Sequence, residues 1–422
     1  MSDTTIISDI AHAARLAART LAVSSNEERN KVLMNIASEL EKNLDLILKA
    51  NEIDMASAKK VGINQSLQDR LLLNEKRVRQ MADAARDIAK LPDPLGKILV
   101  ERDLENGLNL KQKTVPFGVV GMVYEARPNV TVDAAVILIK SGNAALLRGS
   151  SQATESNKVL IDVMKKAFVG SSISSEVIQL VPATDRTTVT ALLTARGLVD
   201  LVIPRGSAEL IRAVVDEATV PTIETGAGVC HVYVDKSADL AKAIPILINS
   251  KCDRPSVCNA AETLLVHQGI AEQFLPLALK ALSQAGVVIN ADAKSKVIAD
   301  KLGITTKLAT DKSFATEYGT LEINLAQVSD VVGAIEHIGK YGTNHTEAIV
   351  AEDKDVIATF TALNDCAAIM VNASTRFTDG GQMGFGAEIG ISNQKLHARG
   401  PMGLEAMTTT TWIVSGNGQI RQ

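Results

Sequence analysis

Cys258 is the residue in this sequence best suited to act as a nucleophile, and it lies in the segment Cys-Asp-Arg-Pro-Ser-Val-Cys-Asn, residues 252–259. A cysteine attacks as its thiolate, and a nearby cation or helix N-terminus lowers the pKa of the thiol. Arg254 and a turn at Pro255-Ser256 could supply that setting. The spacing alone also fits an inert cysteine that packs as a small apolar side chain. The residues around Cys258 therefore favour thiol chemistry without excluding a structural role.

The other three cysteines are weaker candidates. Cys252 is the next choice, whereas Cys230 and Cys366 lie in apolar, strand-like runs that are typical of core thiols. The four cysteines show neither the spacing of a metal site nor a disulfide framework. We therefore expect no metal, reduced thiols and a cytoplasmic enzyme.

Two other positions could assist such chemistry. Glu224 ends a predicted strand, and a carboxylate near a cysteine can act as a general base, although a solvated loop acid fits equally well. Gly206-Ser207 opens a predicted helix directly after a strand, where backbone N–H groups can bind a phosphate or Ser207 can simply cap the helix. The sequence lacks G-x-G-x-x-G, Walker A, H-E-x-x-H and G-x-S-x-G motifs. A nicotinamide cofactor would thus need another way of holding its pyrophosphate.

Length and composition are those of a globular protein with two or three domains. The chain has 422 residues, of which 46% are apolar and 22% charged, and its net charge is −4. This length exceeds one ordinary core, and the absence of a long basic run argues against a nucleic-acid partner. The apolar runs are too short to span a bilayer, and no signal peptide pattern is seen. An anionic substrate would have to be held by local charges.

The spacing of apolar residues predicts the elements that position these groups. Residues 8–90 repeat apolar positions at helical intervals, and Ser25 with Glu28 fits a capping box. Residues 117–225 alternate strands with helices, which predicts a parallel sheet covered on both faces, with ligands at the carboxyl ends of its strands. The predicted strands are 119–124, 144–148, 177–181 and 198–203, and the predicted helices are 131–141, 155–168, 185–195 and 207–218.

A second α/β region is predicted from about residue 226 to residue 400. Its segment 372–403 is rich in glycine and polar residues, and a long irregular stretch of this kind is usually functional. The predicted strands of this region are 230–234, 263–266, 348–350 and 367–371, and the predicted helices are 270–284 and 329–340.

A β-hairpin is predicted from residues 98–105 and 108–115 around Asn106-Gly107, the strongest two-residue turn. Because a two-stranded ribbon is marginal alone, it should pack on another element or on a partner subunit. Residues 408–415 alternate in strand fashion and are its predicted neighbour in a sheet.

Nine segments of the sequence match a known family pattern: 115–121, 124–130, 140–149, 200–207, 228–231, 254–259, 262–265, 371–381 and 394–404. Together they resemble the aldehyde dehydrogenase superfamily, and the resemblance covers essentially the whole chain. The last two segments are long, and they are similar to the branch of that family whose members reduce the acyl phosphate L-glutamyl 5-phosphate.

The resemblance implies an α/β, aldehyde dehydrogenase-like fold with two parallel-sheet α/β domains plus a β-hairpin oligomerisation arm. A cofactor-binding domain is expected from residues 1–97 and 116–225, a catalytic domain from 226–403, and the arm from 98–115 and 404–422. The chain is then expected to form a homo-oligomer, either a dimer or a tetramer. The sequence leaves open whether it associates with the glutamate 5-kinase that would supply its unstable substrate.

The resemblance also implies a reaction in which Cys258 attacks L-glutamyl 5-phosphate and forms a thioester. Asn129 resembles the asparagine of the family's oxyanion hole, where it would act with the backbone N–H of Cys258. NADPH would then reduce the thioester to glutamate 5-semialdehyde. No step of this reaction needs a metal.

Further residues acquire binding roles from the same resemblance. Arg148 lies where the family places a basic side chain near the adenosine ribose, which suits NADP. Gly206 and Ser207 resemble the turn that binds the cofactor phosphate, and Glu317 resembles the acid that binds the nicotinamide ribose. Three arginines are candidates for holding the substrate phosphate or α-carboxylate, because a guanidinium matches either anion, and surface salt bridging is the alternative for each: Arg254, Arg376 and Arg399.

Three other functions are alternatives to an acyl-phosphate reductase. The nearest is a hydrolytic aldehyde dehydrogenase that uses Cys258 with Glu224 as the base for water, a step that an acyl-phosphate reductase lacks. We therefore expect Glu224 to be turned away or too distant to activate water. A non-catalytic scaffold would have no use for a reactive thiol together with Asn129 and Glu317. A cysteine hydrolase would need a histidine beside Cys258, and none is close in sequence.

Overall fold

The computed structural model describes residues 3–63, 65–183 and 185–421. The chain forms two compact units. The first unit contains Met1–Thr225, Gly384–Gly390 and Met402–Gln422, and the second contains Gly226–Met383 and Ile391–Pro401. Residues 384–390 and 402–403, which we expected in the catalytic domain, are thus grouped with the first unit. The roles assigned to the domains stay predictions.

Five helices open the first unit and confirm the helical prediction for residues 8–90. The capping box predicted before the second helix is present: the Ser25 hydroxyl accepts from the Glu28 N–H, and the Glu28 carboxylate accepts from the Ser25 N–H. This helix buries Leu33 and Ile36, which are fully shielded from solvent. The helices are α1 (Asp3–Ala22), α2 (Asn26–Lys42), α3 (Leu44–Val61), α4 (Gln65–Leu71) and α5 (Glu75–Lys90).

The predicted hairpin follows, as β1 (Ile98–Asp103) and β2 (Asn109–Pro116), but its turn differs from the two-residue prediction. The Gly107 N–H donates to the Leu104 carbonyl at 2.9 Å, and the Leu104 N–H donates to the Leu108 carbonyl at 2.8 Å. This closes a three-residue loop. A two-residue type I′ turn needs positive φ at both central residues, whereas here only Gly107, at φ +80°, adopts it.

A four-stranded parallel sheet forms the core of the first unit, in the order β5-β4-β3-β6. The chain moves outward from β3 through β4 to β5 and then returns to place β6 on the other side of β3. The strand order therefore reverses between β3 and β6, and ligands of such sheets bind beyond the carboxyl ends at this point. In chain order the elements are β3 (Val119–Tyr124), α6 (Pro128–Lys140), β4 (Ala144–Arg148), α7 (Thr154–Lys166), β5 (Ile178–Leu180), α8 (Arg186–Leu193), β6 (Leu201–Arg205) and α9 (Ala208–Glu217).

The second unit is built on a seven-stranded sheet in the order β10-β9-β11-β8-β7-β12-β13, with every pair parallel. Neighbouring residues along β8, such as Leu264 and Leu265, belong to separate apolar clusters, so both faces of the sheet are covered. The elements are β7 (Cys230–Val234), α10 (Leu240–Cys252), β8 (Ala261–His267), α11 (Ala271–Gln284), β9 (Val288–Ala291), α12 (Ala293–Lys301), β10 (Lys307–Leu308), α13 (Asp311–Phe314), β11 (Glu322–Val328), α14 (Val331–Tyr341), β12 (Thr346–Val350), α15 (Lys354–Leu363), β13 (Ala368–Val371), β14 (Ile391–Ser392) and β15 (Gly400–Pro401).

The last strand, β16 (Thr408–Ser415), returns to the first unit and pairs antiparallel with β2. Thr408 lies opposite Pro116 and Ser415 opposite Asn109, so the pairing runs the full length of both strands. This confirms the predicted neighbour of the hairpin and completes a three-stranded sheet, β1-β2-β16. Within residues 3–63, 65–183 and 185–421, no helix is both long and apolar enough to cross a bilayer.

Candidate active site

Cys258 lies in the turn that joins α10 to β8, and its side chain is partly exposed. Two backbone hydrogen bonds shape this turn: the Val257 N–H donates to the Arg254 carbonyl at 3.4 Å, and the Ala260 N–H donates to the Val257 carbonyl at 3.0 Å. The turn therefore presents Cys258 directly before the buried strand β8, instead of within the sheet.

The carbonyl of Cys258 is held in place by Cys230, the first residue of β7, and by the close approach of Gly228, which lies just before that strand. The buried Cys230 thiol donates to this carbonyl oxygen at 3.2 Å, and His345 Nδ1 lies 3.8 Å from the same sulfur. Burial, with a smaller effect of the Glu347 carboxylate, holds the pKa of Cys230 well above its ordinary value, so Cys230 stays a thiol and a donor. A Cβ at Gly228 would lie 1.5 Å from the Cys258 oxygen, so the approach requires glycine.

Asn259, the residue after Cys258, ties the turn to the segment that follows β13. Its side chain is 3% exposed, and its amide donates to the Thr378 carbonyl at 2.9 Å and accepts from the Arg376 guanidinium. Arg376 Nε also donates to Asp253 at 3.0 Å. Arg376 thus braces both sides of the nucleophile turn, and its predicted contact with substrate stays a prediction.

The other two candidate arginines differ in their surroundings. Arg254 is exposed, and its guanidinium makes no ion pair or hydrogen bond with another described residue. Arg399 Nη1 pairs with Asp365 at 2.8 Å, while its Nε and Nη2 are shielded from solvent and have no hydrogen-bond partner in the described part of the chain. Of the three arginines predicted to bind substrate, Arg254 therefore has the guanidinium that is least committed to the protein.

The competing thiols are less suited to form a thiolate. Burial raises the pKa of Cys252, although Lys251 opposes this shift, and burial raises the pKa of Cys366 to about 12. Cys230 is fully buried, as its strand-like context predicted. These environments favour protonated thiols, which leaves Cys258 as the strongest candidate nucleophile.

A fully buried ion pair, which sequence reasoning missed, lies beside the nucleophile turn. Lys251 Nζ is 2.6 Å from a Glu262 oxygen, and neither side chain is exposed. Burial raises the pKa of Glu262 to about 7, against the opposing effect of Lys251. The second Glu262 oxygen accepts from the Gly319 N–H at 3.4 Å, which fastens the loop that carries the exposed Glu317. The sequence signal that could have revealed this pair is Glu262, a charged residue within the otherwise apolar start of β8.

Asn129 and Arg148 occupy defined positions in the first unit. Asn129 is the second residue of α6 and donates one amide hydrogen to Asp133 at 2.9 Å, so its other amide hydrogen is not used by this bond. Burial raises the pKa of Asp133 to about 6. Arg148 ends β4 and donates through Nη2 to the Asp185 carbonyl at 3.1 Å.

Gly206 and Ser207 follow β6, and Ser207 caps α9 by accepting from the Leu210 N–H at 3.3 Å. The Ser207 N–H and hydroxyl both donate to Glu125, at 2.9 and 2.6 Å. The N–H predicted to face a phosphate is thus occupied by a carboxylate. A cavity of about 500 Å³ at the carboxyl ends of β3, β4 and β6 is lined by Leu67, Arg70, Glu125, Ala126, Ser150, Gln152 and Ser207.

The strand predicted to end at Glu224 is wrong, because Glu224 lies in an irregular segment, where it is partly exposed. An isolated bridge between Thr222 and Val202 and a hydrogen bond from the Thr225 hydroxyl to the Pro204 carbonyl, at 2.8 Å, connect this segment to β6. The expected inability of Glu224 to activate water stays a prediction.

Comparison with known proteins identifies close relatives over the whole chain. The model of the aldehyde dehydrogenase family matches residues 1–299. The chain is 51% identical over 408 residues to gamma-glutamyl phosphate reductase of Kineococcus radiotolerans, covering 97% of this chain and 94% of that protein. It is 50% identical over 412 residues to the protein of the same name from Thermobifida fusca, covering 98% of each. The crystal structure of gamma-glutamyl phosphate reductase from Thermotoga maritima matches with a TM-score of 0.95 and 43% identity, covering 99% of this chain and 100% of that chain.

Proposed function

The chain belongs to the aldehyde dehydrogenase family and is an oxidoreductase, and we propose that it reduces L-glutamyl 5-phosphate to L-glutamate 5-semialdehyde and phosphate with NADPH. This is the second step of proline biosynthesis from glutamate. The observation that carries the proposal is the identity of about half of all residues, over 97% of the chain, with a protein named for this substrate. The braced turn at Cys258 supports the same chemistry.

Cys258 is the proposed nucleophile. Its thiolate attacks the acyl carbon of the substrate, the bond from that carbon to the phosphate oxygen breaks, and phosphate leaves a thioester behind. Because Cys230 and Gly228 fix the carbonyl of Cys258, the sulfur starts from a defined position. Asn129 is proposed to donate its amide to the oxyanion, and one such donor typically contributes ~3–4 kcal/mol to the stabilisation of the transition state.

A bound nicotinamide cofactor would supply the hydride to the thioester carbon, after which the bond from that carbon to sulfur breaks, Cys258 leaves as the thiolate and the aldehyde is released. The cavity at the carboxyl ends of β3, β4 and β6 supports a dinucleotide there, because Arg70 and Ser207 line it and the strand order reverses beside it. Arg148, Gly206 and Ser207 are the proposed contacts to ribose and phosphate, and Glu317 is the proposed contact to the nicotinamide ribose. Glu125 has to release the Ser207 N–H before a phosphate can accept from it.

Arg254 is the best-supported of the three candidate arginines for the substrate anions. Arg376 and Arg399 already pair with Asp253 and Asp365, whereas Arg254 pairs with no described acid. A guanidinium that is not neutralised can bind phosphate or carboxylate with two hydrogen bonds.

The proposal is tested by following NADP⁺ reduction by glutamate 5-semialdehyde with and without inorganic phosphate. Strict dependence on phosphate is expected, and Cys258→Ala should abolish turnover while leaving the melting temperature close to that of the wild type. Equal rates without phosphate would instead favour the hydrolytic dehydrogenase, with Glu224 as its base.

Glu224→Gln separates these two functions. A reductase has no step that needs a base for water, so we expect this variant to keep most of the phosphate-dependent activity. A large loss with an unchanged melting temperature would contradict the role proposed here for Glu224.

We also propose that the protein is a cytoplasmic homo-oligomer assembled through the sheet β1-β2-β16. Its outer strands β1 and β16 are edges that can pair with another chain, and Trp412, Ile413 and Val414 on β16 are exposed. Trp412→Glu should lower the molar mass measured by light scattering to that of a monomer. The same method, with added glutamate 5-kinase, tests whether the protein associates with that enzyme.

A further inference from the structure

One guanidinium in the cavity at the carboxyl ends of β3, β4 and β6 has no ion-pair partner among the described residues. Arg70, on α4, lines the cavity together with Ser150 and Ser207, and its guanidinium forms no ion pair or hydrogen bond with another described residue. The acid beside it, Asp69, pairs with Arg77 at 2.8 Å instead. Arg70 therefore brings a guanidinium that pairs with no described acid to the edge of the sheet where strand order reverses, in a cavity that Glu125 also lines.

Arg70 is held at this position by the packing of the residue that follows it. Leu71 is 1% exposed and packs with Ala126 and Ala153, which follow β3 and β4. The buried Asn51 donates to the Leu71 carbonyl at 2.9 Å and accepts from the Leu73 N–H at 2.7 Å. The end of α4 is thus fixed against the carboxyl edge of the sheet, which is the support that a binding residue needs.

Two other groups that were predicted to bind the cofactor already have partners in the protein. Arg148, predicted to suit NADP, donates to the Asp185 carbonyl, and the Ser207 N–H donates to Glu125. A phosphate monoester at neutral pH carries close to two negative charges, and a planar guanidinium binds it with parallel hydrogen bonds. Because the net charge of the chain is −4, such an anion has to be held by a local cation.

We propose that Arg70 binds the 2′-phosphate of NADPH and thereby sets the preference of the enzyme for NADPH over NADH. This inference rests on the proposed function, and it assigns the recognition of the 2′-phosphate to a helix of the N-terminal helical region. Arg148, at the end of β4, is then left to contact the ribose.

The test is binding of the reduced cofactors, followed by nicotinamide fluorescence, to the wild-type protein and to Arg70→Ala. A hydrogen-bonded charge pair of this kind is worth about 10- to 100-fold in affinity. We expect the dissociation constant for NADPH to rise by that factor, while that for NADH changes less than about twofold. Arg79→Ala is the matched control, because Arg79 pairs with Glu75 on the exposed side of α5, and it should leave both constants unchanged.

Two probes without nicotinamide distinguish the possible phosphate partners of Arg70. Measured by calorimetry, Arg70→Ala should weaken the binding of 2′,5′-ADP and leave the binding of 5′-ADP unchanged. Equal weakening of the binding of both nucleotides would place Arg70 at the pyrophosphate and overturn the inference. The inference would also be overturned if Arg148→Ala, and not Arg70→Ala, lost the preference for NADPH over NADH. Melting temperatures identify a folding defect, in which case Arg70→Lys, which keeps the charge, is measured in its place. A wild-type protein that binds neither cofactor would refute the proposed function itself.

Discussion

Gly228→Ala is expected to inactivate the protein by displacing its nucleophile. The added Cβ would lie 1.5 Å from the Cys258 oxygen and 3.1 Å from its Cα, whereas real Cβ atoms keep at least 3.0 Å from such backbone atoms. Either β7 or the nucleophile turn must therefore move by about 1.5 Å. A displacement of about 1 Å at a reacting group can cost about 100-fold in rate, so we expect kcat/KM to fall by at least that factor.

The assay is phosphate-dependent reduction of NADP⁺ by glutamate 5-semialdehyde, combined with chemical unfolding. Overpacking of a closely packed site costs ~1–3 kcal/mol, so the variant should remain folded at room temperature while its turnover collapses. Alkylation of Cys258 by iodoacetamide provides a second readout, and its rate should change because the thiol occupies a new position. KM for NADP⁺ should change little.

Gly339→Ala is the matched control for this substitution. Gly339 lies on α14 of the same unit, is exposed, and has open space around its Cα. Alanine in a helix is favoured over glycine by about 1 kcal/mol, so this variant should be fully active and slightly more stable. Full activity of Gly228→Ala would refute the reasoning, because the turn would then tolerate the displacement that the structure demands.

Three further predictions concern groups around the same turn. Cys230→Val should lower kcat/KM by about 3- to 10-fold, through loss of a hydrogen bond of ~1 kcal/mol to the Cys258 carbonyl, while Cys230→Ser, which keeps a donor, should retain most of the activity. Burial lowers the pKa of His345 to about 4 from 6.5, so the unfolded chain binds a proton at this residue more readily than the folded protein does. The free energy of unfolding should therefore be highest above pH ~6.5 and should fall as the pH is lowered towards 4. At pH 5 the loss is about 2 kcal/mol. Urea unfolding at pH 7 and pH 5 should show that His345→Gln removes this part of the pH dependence, and an unchanged dependence would refute it. Lys251→Met should destabilise the fold by ~3–5 kcal/mol because it leaves the buried Glu262 carboxylate unpaired, and adding Glu262→Leu should restore most of that loss in the same unfolding assay.

Elements with a continuous or strictly periodic apolar pattern could be predicted from the sequence. The strands Val119–Tyr124, Ala144–Arg148 and Cys230–Val234 have the predicted bounds, because each is buried on both faces and is therefore mostly apolar, with Arg148 and His231 as the exceptions. The β11 strand was missed for the opposite reason. Its Asn324 is fully buried and donates to the Glu262 carbonyl at 3.2 Å, so a polar residue interrupts the pattern of a core strand.

The candidate site was predictable where chemistry depends on the type of residue, and not where it depends on tertiary packing. A cysteine beside an arginine and a turn pointed to Cys258, whose turn the structure confirms. Nothing local distinguishes Arg70 from other helical arginines, because its place at the cavity arises from the docking of Leu71 on Ala126. The bond from Cys230 to Cys258 likewise depends on the pairing of β7 with β8.

The path of the chain between its two units bears on how the protein folds as it leaves the ribosome. β2 is complete at Pro116, but its partner β16 begins only at Thr408, about 290 residues later, which at ~5–20 residues per second is roughly 15–60 s of synthesis. During that interval one edge of β2 has no neighbour and is open to pairing with other nascent chains. Lys111 and Lys113 on this strand oppose such pairing by charge. Synthesis of β16, and not of the first 225 residues alone, is then the event that completes the first unit.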